Sequence, residues 1–252
     1  MATPSTGSVL RYPCEQCPIR GLRVFRPFTP EELAFVNSFK AGELTVDPRA
    51  TILQEGTSST HLFTVLTGWA FRYKMLPDGR RQILNFALPG DFLGLQASMF
   101  NEMTHSVEAL TPMLLCVFPR ERIWELYERY ASLSFDVTWL AAREEQILDS
   151  NLLNVGRRNA LERTAYLILH LFTRARDVGL AAKSGLALPI TQQHVADTLG
   201  MSIVHANKTL RRLHDRKLLS WKGQRLEILD MAGLQQLAQW DGDIAGQLRP
   251  LI

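Results

Sequence analysis

"LPITQQHVADTLGMSIVHANKTLRRL" spans residues 188–213 and reads as two short amphipathic helices broken by one glycine, with cations gathering at its far end. Thr191 is placed to cap the first helix, whose Val195, Ala196 and Leu199 recur at the three- and four-residue spacing of a buried helical face. Gly200 supplies the left-handed residue that closes a helix, and Ser202 can cap the next helix at once, so the turn is short and the crossing steep. Ala206, Leu210 and Leu213 then form the inner face of the second helix, and Ile203, Val204, Asn207, Lys208 and Arg211 its outer face. A helix fits the DNA major groove, where a lysine donates to guanine and an aliphatic group covers a thymine methyl. An ordinary helical hairpin with a solvated basic face has the same spacing.

The next residues separate these readings. "RKLLSWKGQRLEILD" (216–230) reads as two short strands around Lys222-Gly223, a wing with a basic tip. From Ser202 to Arg225 seven lysines and arginines face a single acid, Asp215, which suits a surface that meets phosphates. The whole chain, 252 residues with a net charge of +3, has the same asymmetry: residues 157–252 hold 14 cations against 8 acids, and residues 1–156 hold 14 against 17.

That length suits two domains. No apolar run approaches the roughly 20 residues that cross a bilayer, and the start "MATPSTGSVLRYPCEQCPIRG" lacks the pattern of a secretory signal. A cytoplasmic protein with no membrane partner is expected. Residues 1–22 read as a loop-rich arm. "TPEELAFVNSF" (29–39) follows as a helix capped by Thr29, and residues 43–119 are brief strands between turn signals, the strongest being Pro77-Asp78-Gly79. Such spacing predicts a small antiparallel sandwich or barrel.

From Arg120 the pattern turns helical. "LSFDVTWLAAREEQILDSNLLNVGRR" (133–158) predicts a long helix in which Leu133, Leu140 and Ile147 repeat every seven residues, with Val137 between them and Glu144, Asn151 and Asn154 continuing the stripe. This fits the seam of a two-stranded coiled coil, and periodicity fits equally a helix lying on its own sandwich. "NALERTAYLILHLFTRA" (159–175) predicts another helix, and "DVGLAAKSGL" (177–186) a linker.

A glycine-punctuated β-roll, a long helix and a winged helix-turn-helix, in that order, resemble the Crp/Fnr family of bacterial transcription regulators. The residues that carry the likeness are "VLTGWAFRYKMLPDGRRQILNFALPGDFLG" (65–94), "RRNALERTAYLILHL" (157–171) and the opening stretch. The resemblance implies an α+β fold: an N-terminal cyclic-nucleotide-binding-like β-roll (jelly roll) at 23–130, a dimerisation helix at 131–156 and a winged helix-turn-helix DNA-binding domain at 157–252. It implies a homodimer on a palindromic operator of double-stranded DNA, with RNA polymerase as a further partner if the regulator activates. Leu133, Val137, Leu140, Glu144 and Ile147 are the expected dimerisation residues. Ile203, Val204, Asn207 and Lys208 are expected at base edges, with Thr191, Gln192, Ser202, His205, Arg211 and Lys222 nearer phosphates. Well-known members carry glutamate at the position of Val204 and arginine at that of Lys208, so the operator is expected to differ from theirs.

The family's cyclic-nucleotide pocket needs a glutamate for the ribose and an arginine-serine pair for the phosphate. In "FLGLQASMFNEMTHSVEAL" (92–110) Leu95 replaces the glutamate, and His105 precedes Ser106 where the arginine belongs, so cyclic AMP is not expected, and a sensor for another small anion, or for none, is the alternative. Cys14 and Cys17 form "CEQC" in the arm, and Cys116 resembles the distant cluster ligand of oxygen-sensing Fnr proteins. Those proteins use four cysteines; Arg23 stands at the third arm position and no fourth cysteine exists here. Three readings stay open: an iron-sulfur cluster for oxygen or redox sensing, completed by Glu15, His61 or His105 or in a three-iron form; zinc with a histidine, or a Cys14–Cys17 thiol switch; and structural cysteines with no cofactor. An enzyme is not expected. "RYPCEQCPIRG" is not set at the head of a helix in a βαβ unit, and no nucleophile triad or phosphate-cradling loop occurs elsewhere. The other rival is a sensor whose basic half binds protein or RNA.

Overall fold

The computed structural model describes residues 12–240, 242 and 248–252, so the first eleven residues of the arm lie outside it. Helix α1 (Pro30–Phe39) begins as expected: Thr29 Oγ1 accepts from the Glu32 amide at 3.2 Å and Glu32 Oε2 accepts from the Thr29 amide at 2.9 Å. Eight strands follow, β1 (Gly42–Val46), β2 (Thr51–Leu53), β3 (His61–Thr67), β4 (Ala70–Met75), β5 (Arg81–Ala87), β6 (Phe92–Leu93), β7 (Ser106–Ala109) and β8 (Met113–Pro119), with a short helix α2 (Leu95–Phe100) after β6. They make two four-stranded antiparallel sheets in the orders β1-β8-β3-β6 and β2-β7-β4-β5.

Strand alternation gives the roll two cores. On β3, Phe63 and Val65 join Leu53, Val107 and Leu115 between the sheets, whereas Leu62 and Leu66 join Phe71, Phe86 and Phe118 in the cluster that continues into the helices. The tight turn at Pro77-Asp78-Gly79 joins β4 to β5, with Gly79 at φ 87°. Gly90 has φ 86°, and a Cβ there would overlap the Phe25 ring, so this turn needs glycine on two counts.

A 3-10 turn (Arg120–Arg122) leads into α3 (Ile123–Arg129) and then α4 (Ala131–Arg157), a helix about 40 Å long at 1.5 Å per residue. Here one expectation is corrected. Leu133, Val137, Leu140 and Ile147 are buried in the chain's own core, Glu144 pairs with Arg72 on β4 at 2.5 Å, and Asn151 Nδ2 donates to Leu84 O at 2.8 Å. The heptad stripe is therefore an intramolecular face, packed against α3, the β-roll and the helix that follows α4. The apolar side chains α4 leaves exposed are Phe135, Leu148, Leu152 and Leu153.

Helix α5 (Ala160–Asp177), capped by Asn159 and Glu162, is the buried centre of the C-terminal half. Strand β9 (Gly185–Ala187) lies in the stretch expected to be a linker and pairs with the wing, giving a three-stranded sheet β10-β11-β9 with β10 (Leu219–Lys222) and β11 (Arg225–Ile228). Between them stand α6 (Gln192–Leu199) and α7 (Ile203–Asp215), and α8 (Met231–Ala238) packs on α5. Asp91, in the turn before β6, fastens α5 to the roll: its carboxylate accepts from Arg174 Nη2 at 2.6 Å, from Arg249 Nη2 and from the Leu88 amide. Burial alone would push this carboxyl up, but the two guanidiniums and the amide hold it well below the usual carboxylate range. No helix among the described residues is long and apolar enough to cross a membrane.

Candidate nucleic-acid interface and sensor site

Thr191 caps α6 through a capping box in which its Oγ1 accepts from the His194 amide at 3.3 Å and His194 Nδ1 accepts from the Thr191 amide at 3.0 Å. Gly200 closes the helix at φ 60°, ψ 42°, and Ser202 Oγ then accepts from the His205 amide at 3.2 Å to start α7. Val195, Ala196 and Leu199 of α6 and Ala206, Leu210 and Leu213 of α7 are buried between the helices, as their spacing requires. That burial turns the opposite side of α7 outward. Ile203, Val204, His205, Asn207, Lys208 and Arg211 are all exposed, and Val204 retains 74% of its surface.

Thr191, Gln192, Ser202 and Lys222 are exposed as well, so every residue expected to face DNA is accessible. Gln192, Asn207, Arg211 and Lys222 line one cleft of about 230 Å³ between α7 and the wing. His214, Ser220 and Trp221 line the same cleft and were not among the expected residues. His214 could have been found, since it lies three residues beyond Arg211 and seven beyond Asn207 on one helical face. The start of each of α6 and α7 also presents backbone amides of the kind that receive phosphate oxygens.

The β-roll holds α6 through contacts that sequence spacing does not reveal. Arg81 pairs with Asp197 at 2.8 Å, Gln82 Nε2 donates to Thr198 O at 2.9 Å, and the Phe71 and His194 rings lie 5.3 Å apart. The β4–β5 hairpin thus reaches the helix pair, and a cleft of about 1040 Å³ separates its tip from Ser202 and Ile203.

Between the roll and α4 lies a cavity of about 250 Å³, lined by Phe92, Leu95, Met99, Phe100, Met103 and Leu140 with Arg72, His105 and Glu144. Burial, with help from Arg72 and Lys74, pushes the His105 imidazole down to about 3, so it is neutral at physiological pH. Arg72 is engaged by Glu144 and by Phe92 O. Arg72 is thus the cation among the residues lining this cavity, and its guanidinium is already paired.

The three cysteines come together. Cys14 opens a 3-10 turn (Cys14–Gln16), and Cys116 lies on β8 opposite Glu43 of β1 and Thr64 of β3. With Cys17 they line one cavity of about 10 Å³, the room of a single water. Burial pushes the Cys116 thiol up to about 12, and burial also raises Cys14 although Lys40 and Arg20 pull it down. An iron-sulfur cluster does not fit this arrangement. Glu15, His61 and His105 do not line the cavity, no group of three or more His, Cys, Asp or Glu among the described residues has metal-holding geometry, and the room is too small.

Comparison with known proteins agrees with this architecture. Residues 43–130 match the cyclic nucleotide-binding domain family, and residues 162–237 match the Crp-like helix-turn-helix domain family. The nitrogen fixation regulation protein FixK of Bradyrhizobium diazoefficiens is 31% identical over 89% of this chain and 93% of its own. The transcriptional activatory protein AadR of Rhodopseudomonas palustris is 29% identical over the same shares, and the transcriptional activator protein FnrL of Cereibacter sphaeroides is 27% identical over 91% and 93%. The structure of FixK2 from Bradyrhizobium japonicum superimposes with a TM-score of 0.70 at 26% identity, covering 81% of this chain and 98% of that one. These relatives regulate transcription and are not enzymes. With both domain families in order and a relative of 31% identity spanning nearly the whole chain, the protein belongs to the Crp/Fnr family of DNA-binding transcription regulators, on its Fnr-type branch.

Proposed function

We propose that the protein binds a palindromic operator as a homodimer, with α7 of each copy in one major groove and the wing against the adjoining backbone. The observation that carries this reading is the exposed basic face of α7 beside an equally basic wing. Ile203, Val204, Asn207 and Lys208 read base edges, while Thr191, Gln192, Ser202, His205, Arg211 and Lys222 position the duplex through phosphates. The partner copy meets the outer face of α4 at Phe135, Leu148 and Leu152, replacing the seam first expected at Leu133, Val137, Leu140 and Ile147. Phe135 and Leu152 are 17 residues apart, two heptads and three residues, as on a coiled-coil seam, and Leu148 flanks Leu152 one turn earlier.

A change in the N-terminal half shifts α4 and with it the separation of the two recognition helices, which must match half-sites about 34 Å apart. The relatives' names favour activation, and an activator would also meet RNA polymerase. For the signal, the roll offers two places: the largely apolar cavity beside His105, which suits a small uncharged effector, and the thiols of Cys14, Cys17 and Cys116. The test is selection of duplexes from a random pool followed by anisotropy titration. A recovered palindrome bound with two chains per duplex supports the reading; recovery of no common sequence would overturn it.

A further inference from the structure

The polypeptide leaves α8 at Ala238 and, by residue 248, is back at the sensor. There it is tied on both sides. Arg249 forms a parallel bridge with Phe25, in which the Arg26 amide donates to Arg249 O at 2.9 Å and the Arg249 amide donates to Val24 O at 2.7 Å. Thr64 Oγ1 donates to Ile252 O at 2.5 Å, and the Leu251 and Ile252 side chains are buried against the cysteine cavity they help to line. The Arg249 side chain reaches past Phe25 to Asp91, the carboxylate that also holds Arg174 of α5.

We propose that residues 248–252 are an internal plug: they seal Cys14 and Cys116 from solvent, and their release joins the chemical state of those thiols to the anchoring of α5.

The cavity leaves no room for an added group on the buried Cys14 or Cys116 sulfur, since about 10 Å³ holds one water at most. Something must yield when a thiol is modified. The other walls belong to α1, β3 and β8, whose backbones are fixed by helical and sheet hydrogen bonds, and to the arm from Tyr12 to Arg20, which is tied by the Tyr12 amide to Glu43, the Cys14 amide to Asn37 and Lys40 to Tyr12 O; the plug is held by one bridge, one hydroxyl bond and its side chains. On the proposal it is the plug that leaves. Arg249 leaves with it, and Asp91 then keeps only Arg174 of its two guanidiniums. The coupling is reciprocal by thermodynamic linkage: whatever loosens the plug exposes the thiols, and whatever fills the cavity loosens the plug. None of this depends on the operator reading above, because both ends of the device lie inside one chain.

The test uses the full chain and two variants, one lacking residues 248–252 and one carrying Leu251→Ala with Ile252→Ala, which keeps Arg249. The rate at which methyl methanethiosulfonate modifies Cys116 is followed by mass spectrometry, with circular dichroism to show that each variant is folded. At least a tenfold faster modification is expected in the truncated chain, with an intermediate rate in the double variant, which decides the matter alone if truncation prevents folding. In the full chain, modified Cys116 should leave the Arg26 and Arg249 amides exchanging at least tenfold faster with deuterium, and reduction of the adduct should restore their protection. Equal Cys116 rates in the full chain and a folded variant, or unchanged Arg26 exchange after modification, would overturn the proposal, as would modification that occurs in every form only at the rate of global unfolding.

Discussion

The recognition helix and the cysteine cavity sit at opposite extremes of exposure, and their chemistry follows. On α7 the cations stand exposed to water, available to a partner that brings its own anions. Around Cys116 the reactive atoms are buried, protonated and sealed by apolar residues from several parts of the chain. A surface for a duplex is complete as it stands. A buried thiol site acts only when its surroundings open, so its function is inseparable from the stability of whatever closes it. The Asp91 hub lies between the two regions and belongs to neither motif.

Four perturbations break or sharpen this contrast. The largest effect is expected at the hub. Asp91→Asn leaves Arg174 and Arg249 buried without their counter-charge, and chemical denaturation should register a loss of about 3–5 kcal/mol. Next, the two faces of α4 should separate cleanly. Leu133→Ala opens a hole in the core and should cost about 2–5 kcal/mol of stability, whereas Phe135→Ser should change the stability of the isolated chain by less than about 0.5 kcal/mol while weakening self-association in sedimentation velocity.

Third, Lys208→Ala should reduce operator affinity by about 1–3 kcal/mol and relax discrimination at one base pair, whereas Lys222→Ala should weaken all duplexes alike and flatten the salt dependence. The smallest effect concerns protons. His105 and His170 are both pushed by burial to about 3, below the value near 6.5 of an unfolded chain. Each is neutral when folded, so its contribution is fully present above pH about 6.5 and is lost as pH falls toward 3, by roughly 1 kcal/mol for each at pH 5.5. Denaturation midpoints between pH 7.5 and 5.5 should fall in the parent chain and fall less in His105→Gln.

The local signals were those with a short physical range. Thr29, Thr191 and Ser202 cap where a hydroxyl must reach an amide two or three residues away, and Gly200 closes α6 where only a residue comfortable at positive φ will serve. The exposed face of α7 was legible for the same reason, since burial of Ala206, Leu210 and Leu213 dictates the direction of the rest. A heptad repeat, by contrast, states that a stripe is apolar without stating what covers it, and on α4 the cover is α3, the β-roll and α5. Strand β9 is only Gly-Leu-Ala, too short and too weakly β-forming to register, and it exists because β11 offers it an edge. The plug was illegible because five residues have no periodicity, and their partners at Asp91 and Thr64 lie 158 and 188 positions away.

Operator spacing tests the proposed function most directly. With the selected palindrome, anisotropy at fixed salt should show two chains bound per duplex, at least about a thousandfold more tightly than to a scrambled duplex. Inserting five base pairs between the half-sites turns them to opposite sides of the duplex and should abolish that preference. Equal affinity for the palindrome, the scrambled duplex and the respaced duplex would contradict a paired-helix regulator.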